Sequence, residues 1–287
     1  MMVSEPQHFT PAVGEWLGSI RHLALDMDGT IYRGDSLFPF TKRFLAGLED
    51  LGIGYSFLTN NSSKSAADYL SHLRKMGLDA SLSQMHTSAH AAFHYLRRER
   101  PEIRRLYVLG TPSLKKEACE RGFDIVGPYE GGPDAVLAGF DLELGFESLG
   151  QAAWWITQGK PFFATHPDRV CPTDRPTVLI DCGAMCAMLR EATGRGPERI
   201  FGKPEPAMLE ALSARHGLPM REIAMVGDRL YTDVAMARRA GALGVLVLSG
   251  EATAEEAASS ADTPDLVVRD LEELGALLRQ TRAVSPS

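Results

Sequence analysis

No stretch of this 287-residue chain is long and apolar enough to span a bilayer, so a membrane-embedded protein is not expected. Basic charge is also in deficit. Lys and Arg number 30 against 37 Asp and Glu, giving a net charge of -7 and a pI near 5.7. Phosphate-backbone binding needs a basic face, so nucleic acid is not an expected partner. Cysteine is sparse, at four residues without CxxC spacing. Cys182 and Cys186 fall one helical turn apart, where small apolar packing is the simpler reading, and all four are read as structural. The first residues, MMVSEPQHFTPAVGEW, lack a basic start followed by an apolar core, which points to the cytoplasm. Repeats and low-complexity tracts are missing too; the tail AVSPS reads as frayed.

What is present is alternation. HLALDM, GYSFLTN, RLYVLG, DAVLAGF, PFFATH, REIAMVGD, ALGVLVLSG and DLVVRD read as strands separated by helix-like stretches. Such a pattern predicts βαβ crossovers and an α/β fold with a doubly wound parallel sheet. Three of the runs end in reactive side chains, at Asp26, Thr59 and Asp228. Ligands in doubly wound sheets bind beyond the carboxyl ends of strands, so these three ends are expected at one place. The stretch from about Met85 to about Arg199 has its own alternation and carries none of them, which marks it as an inserted domain.

The first run finishes in two acids, LALDMDGT. In an extended segment residues i and i+2 point the same way, so Asp26 and Asp28 are expected to enter one cavity, with Gly29 allowing the turn after them. Two close carboxylates call for a cation, and a divalent, oxygen-seeking ion such as Mg²⁺ answers. An EF-hand loop also begins D-x-D, but here its glycine comes two places early and Leu37 stands where the bidentate glutamate belongs.

In SFLTNNSSKSAADYL, Thr59, Asn60, Asn61 and Ser62 are expected at a strand-to-helix junction suited either to a phosphate or to ordinary helix capping. FGKPEPAMLEAL puts Lys203 before a stiffening proline that would aim the ammonium. AMVGDRLYTDVAMARRAG ends a strand at Gly227-Asp228 and places Asp233 at a helix opening, from where it can position Lys203 or a metal-held water.

Taken in order, DMDGT, LTNNS, GKPEP and VGDRLYTD resemble the four motifs of the haloacid dehalogenase (HAD) superfamily of phosphatases. The insert, with ATHPD around Thr165 to Asp168 and DCGAMCAMLREATGR before the lysine, resembles the class IIA, NagD-like branch. The resemblance implies a Rossmann-like core at residues 1–84 and 200–287 and an inserted α/β cap at 85–199 that selects substrate. It implies Asp26 as nucleophile, Asp28 as general acid and base, and Thr59 and Lys203 as the remaining catalytic pair. Mg²⁺ is implied at Asp26, Asp28, Asp228 and Asp233, with the backbone carbonyl of Asp28 as that residue's ligand. Gly29, Asn60 and Asn61 are expected at the phosphate.

In this branch a cap loop contacts the leaving group; the candidate is THPDRVCP, with His166, Asp168 and Arg169 as substrate-contacting residues. Many members carry asparagine where this chain has His166. His86, His90 and His94 recur every four residues and could share a helix face, read as solvated or partly packed rather than as a zinc site. Trp154 and Trp155 are expected to pack the cap or a homodimer interface. The expected activity is hydrolysis of a small phosphorylated metabolite, such as a sugar phosphate, polyol phosphate or nucleoside monophosphate. A phosphotransferase or mutase on the same fold is the enzymatic alternative, and a non-catalytic metabolite-binding regulator the other.

Overall fold

The computed structural model describes residues 9–172 and 177–283; of the tail AVSPS expected to fray, Ala283 ends the helix Leu271–Ala283 and 284–287 lie outside the described residues. All eight runs that read as strands are strands, and the chain divides into two compact units. The first holds residues 1–58, 70–86 and 203–287, and the second 59–69 and 87–202. Residues 59–69, expected with the core, thus cluster with the second unit.

A six-stranded sheet organises the first unit, in the order Leu266–Val268, Leu243–Val247, Ile223–Gly227, His22–Asp26, Gly54–Thr59, Met85–Thr87. His22–Asp26 runs parallel to both Gly54–Thr59 and Ile223–Gly227. Its five residues are buried throughout, as expected of a strand covered on both faces. From it the chain winds one way through residues 54–87 and the other way through 223–268. That reversal puts a topological switch point at the carboxyl end of His22–Asp26, where open α/β sheets bind ligands.

Helices seal the faces with residues at helical spacing. Thr41–Asp50 buries Thr41, Phe44, Leu45 and Leu48, and Leu271–Ala283 buries Leu271, Leu274, Leu277 and Leu278. Truncating a fully buried member such as Leu274 to alanine costs about 2–5 kcal/mol. Ala207–His216 stops at Gly217 and Ala235–Ala240 at Gly241, both in the left-handed region that closes helices.

The second unit has its own five-stranded sheet, ordered Arg199–Ile200, Phe162–Ala164, Ala135–Ala138, Arg105–Leu109, Asp124–Ile125, with all four pairings parallel. Its core joins Tyr107, Val136, Ala138 and Phe162 to Ile156, Met185 and Leu189 from the flanking helices. Trp155 packs against this core, whereas Trp154 on the same helix is exposed. A short antiparallel hairpin pairs Val170–Pro172 with Val178–Ile180. The three histidines do not share a helix face: His86 lies in the strand Met85–Thr87, and only His90 and His94 belong to the helix Ser88–Glu99. The β-branched Thr87 caps that helix by accepting from His90 N, which ends the strand there. Among the described residues, no helix is long and apolar enough to cross a membrane.

Candidate active site

Register brings the acids together. Leu25 pairs with Val226, so Asp26 stands level with Gly227 and Asp228 is one residue further on. Oxygens of Asp26, Asp228 and Asp233 lie within 4.8 Å of one another, and all three residues are buried. Asp233 reaches the group from a π-helical turn, Leu230–Val234, rather than from the opening of a regular α-helix. Lys203 is buried beside them, paired with Asp26 and, at 2.7 Å, with Asp233 Oδ1. The Lys203–Pro204 peptide is cis.

Glycines make this closeness possible. A β-carbon on Gly29 or Gly250 would fall inside 3.0 Å of the Asp228 carboxylate, and one on Gly227 inside 3.0 Å of Asp233. Gly29 also has φ +87°, a conformation side-chain-bearing residues avoid. The Asp228 carboxylate takes Glu251 N–H on Oδ2 at 2.8 Å, while its buried Oδ1 has no hydrogen-bond partner among the described residues.

Charge is badly matched at this spot. Burial, then the anions of Asp26 and Asp233, push the Asp228 carboxyl up to about 7. Burial also raises Asp233, to about 6, although Lys203 opposes the rise. Burial works against the Lys203 ammonium, but Asp233 and Asp26 outweigh it and hold the group above its ordinary value. One ammonium facing three carboxylates leaves two negative charges uncompensated when all are ionised. A divalent cation fits that deficit, and the unpartnered Asp228 Oδ1 is the kind of hard oxygen Mg²⁺ takes.

Several expectations need correction. Asp28 does not join Asp26 in one cavity: its side chain is exposed and, among the described residues, accepts from Gly34 N at 3.4 Å. The extended run stops at Asp26, because Met27 O takes the N–H groups of Thr30, Ile31 and Tyr32 in a tight turn, and the i, i+2 alternation stops with it. The Asp28 side chain is therefore not in the carboxylate group. Gly29 cannot offer its backbone to a phosphate, since its N–H bonds Tyr32 O and its carbonyl accepts from Ser249 Oγ. It gives closeness to Asp228 instead.

Thr59 ends its strand one residue beyond Leu58, the register partner of Asp26, and its Oγ1 accepts from Asn61 N at 3.2 Å. The next helix starts only at Ala66; there Ser65 Oγ accepts from Asp68 N, and Asp68 Oδ2 accepts from Ser65 N. Residues 60–65 form a loop, in which Asn61 Oδ1 accepts from Ser63 N, tying the side chain into the turn. Asn60 donates its amide to the Asp168 carboxylate at 3.1 and 3.3 Å.

His166 is fully buried, with protein partners at both ring nitrogens. Its Nδ1 is 2.8 Å from Thr165 Oγ1 and its Nε2 is 2.8 Å from Asp181 Oδ1. Burial opposes the imidazolium, but Cys182 and Asp181 carry the group up to about 9, so it is a charged partner of Asp181. Asp181 in turn caps the helix Cys182–Thr193, whose Gly183 N bonds Asp168 O. His166 thus fixes the loop that carries Asp168 and Arg169. Arg169 is exposed.

Sequence reasoning misses Ser249, Gly250 and Glu251. The run ALGVLVLSG reads as a strand, and all three sit at its carboxyl end, the side of a doubly wound sheet where ligands bind.

Comparisons with known proteins show the family. A family model described as haloacid dehalogenase-like hydrolase matches residues 23–124, and one described as HAD-hydrolase-like matches 200–274. The chain is 35% identical over 254 residues to the D-glycerol 3-phosphate phosphatase of Mycobacterium tuberculosis, covering 88% of this chain and 70% of that protein. It is 30% identical over 256 residues to the ribonucleotide monophosphatase NagD of Escherichia coli, covering 89% and 98%. Among solved structures, a 4-nitrophenylphosphatase from Thermotoga maritima superposes with a TM-score of 0.86 at 39% identity, over 92% of this chain and 99% of that one. A glycerol phosphate phosphatase from Mycobacterium tuberculosis, solved in complex with magnesium, superposes with a TM-score of 0.81 at 32% identity, over 90% and 77%. The chain therefore belongs to the haloacid dehalogenase superfamily, in its NagD-like, class IIA branch of phosphatases.

Proposed function

We propose that the protein is a cytoplasmic, Mg²⁺-dependent phosphatase that hydrolyses a small phosphomonoester through an aspartyl-phosphate on Asp26. The observation that carries this is the buried group of Asp26, Asp228 and Asp233 around a single ammonium, with Asp228 Oδ1 unpartnered. The substrate class rests on relatives named for glycerol phosphate, ribonucleotide monophosphates and acid sugar phosphates.

When bound, Mg²⁺ neutralises carboxylate and phosphoryl charge so that an anionic nucleophile can approach an anionic ester. A carboxylate oxygen of Asp26 attacks phosphorus and the bond to the leaving oxygen breaks. Asp28, exposed and outside the carboxylate group, gives that oxygen its proton, so the alcohol departs and Asp28 is left ionised as a base. Asp28 then takes a proton from water, which attacks the same phosphorus and releases inorganic phosphate and the Asp26 carboxylate. Lys203, with the Thr59 hydroxyl and Asn60 backbone one and two residues past Leu58, is assigned to the phosphoryl oxygens. Asp233 holds the Lys203 ammonium in place.

The second unit is assigned substrate selection, with Arg169 the exposed charge of its 165–169 loop. Pairing of two copies through this unit belongs to the same reading, and exposed Trp154 is a side chain it would cover. The test is phosphate release from a panel of polyol, sugar and nucleoside phosphates, with and without Mg²⁺ and with an added sugar acceptor. Metal-dependent release of free phosphate is the expected result. A phosphorylated acceptor in its place would favour transfer, and no turnover of any panel member by folded protein would favour a binding role.

A further inference from the structure

We propose that Glu251 sets the Mg²⁺ affinity of the site by holding the Arg229 guanidinium away from Asp228 and Asp26. This rests on the reading that Asp228 is a magnesium ligand.

Arg229 comes directly after Asp228, and its backbone N–H bonds Asp233 Oδ2 at 3.1 Å, so its main chain is pinned between two acids of the site. Its side chain goes elsewhere. Nε lies 2.9 Å from Glu251 Oε2, and the guanidinium is largely withdrawn from solvent, with the side chain 28% exposed. The other oxygen of Glu251 accepts from Tyr231 OH at 2.9 Å, which fixes the carboxylate that faces the arginine. Meanwhile the Glu251 backbone N–H bonds Asp228 Oδ2 at 2.8 Å, and Ala252 N bonds Asp228 O at 3.1 Å. One residue therefore orients the Asp228 carboxylate with its main chain and restrains the neighbouring cation with its side chain.

The restraint matters because an arginine is always charged and forms bidentate pairs with carboxylates. Burial opposes the Arg229 charge, and the anions that sustain it include Asp26 and Asp228 as well as Glu251. Remove the Glu251 charge, and the anions left to sustain the Arg229 charge include those of the metal site. A guanidinium paired there competes with Mg²⁺ for the same oxygens. Glu251 is thus a positioning residue, acting through Arg229.

Calorimetric titration of Mg²⁺ into the full chain tests this without turnover. Glu251→Gln keeps the backbone bond to Asp228 and an acceptor for Tyr231, and removes only the charge. It should weaken Mg²⁺ binding by about 10-fold or more, in the range typical of groups that support metal ligands. Adding Arg229→Gln to that variant should restore affinity, because the competitor is gone. Unchanged affinity in Glu251→Gln overturns the proposal, and so does a loss that Arg229→Gln does not rescue, which would mean a loosened 249–252 segment. Asp228→Asn, measured alongside, separates the two levels: if it binds Mg²⁺ as well as wild type, or if wild type binds none, the metal-site reading itself fails.

Discussion

Gly250 approaches Asp228 so closely that a β-carbon on it would lie inside 3.0 Å of the carboxylate. Two backbone segments, at Gly29 and Gly250, thus close on the same carboxylate oxygen of Asp228, Oδ2, which Glu251 N–H also orients. Gly250→Ala must displace either the loop or the acid. Misplacement of a reacting group by about 1 Å costs on the order of 10²-fold, and turnover should fall by that much. Steady-state kinetics at saturating Mg²⁺ check this; wild-type turnover in the variant would show that this closeness is not needed.

Asp28 stands apart from the buried acids, so the proton transfer proposed for it is separate from the metal binding proposed for them. Asp28→Asn should lose about 10²- to 10⁴-fold in turnover of an unactivated alkyl phosphate, the usual contribution of a general acid-base. Its affinity for Mg²⁺, by calorimetry, should match wild type. An activated aryl phosphate, whose leaving group needs no proton, should be hydrolysed with a smaller deficit in the first step.

Lys203 is buried and is the ammonium that offsets Asp26 and Asp233. Lys203→Met would strand these carboxylates, and removal of one partner from a buried ion pair costs about 3–5 kcal/mol. Denaturant unfolding in metal-free buffer should register that loss, and added Mg²⁺ should recover part of it. Equal stability with and without the lysine would mean that the carboxylates are protonated in the resting protein.

How much of the site is legible in the chain differs by element. Asp26, Thr59 and Asp228 can be placed at one sheet edge because each ends an apolar run, and strand ends in a doubly wound sheet have one address. Asp28 is misplaced by strand periodicity carried through Met27, where three N–H groups converge on one carbonyl and turn the chain. His166 is misplaced for a different reason. A histidine in a loop sequence looks available, and only tertiary packing against Asp181 and Thr165 buries it. Gly250 and Glu251 escape notice because a small residue or an acid after a strand carries no signal until the neighbour it serves is known.

His22 sits deep in the same sheet, with Nε2 3.0 Å from Ser56 Oγ and its ring 4.3 Å from that of His216. Burial, aided by His216 and His86, lowers its pKa from 6.5 to about 3. The neutral form is the folded one, so this contribution to stability is complete above pH 6.5 and is lost as pH falls toward 3. Within that window each pH unit removes up to about 1.4 kcal/mol, the value of one proton taken up only by the unfolded chain. His22→Asn should flatten the acid limb of a stability-pH curve measured by chemical denaturation; an unchanged limb would assign acid sensitivity to other groups.

The proposed transfer of the phosphoryl group to Asp26 is the step on which all the other assignments depend. Rapid quenching of enzyme with a phosphomonoester radiolabelled in phosphorus, in Mg²⁺, measures this most directly. Wild type should carry transient, hydroxylamine-sensitive label on the peptide containing Asp26, and Asp26→Asn should carry none and release no phosphate. Full turnover by Asp26→Asn, or turnover by wild type with label on no residue at any quench time, would contradict it.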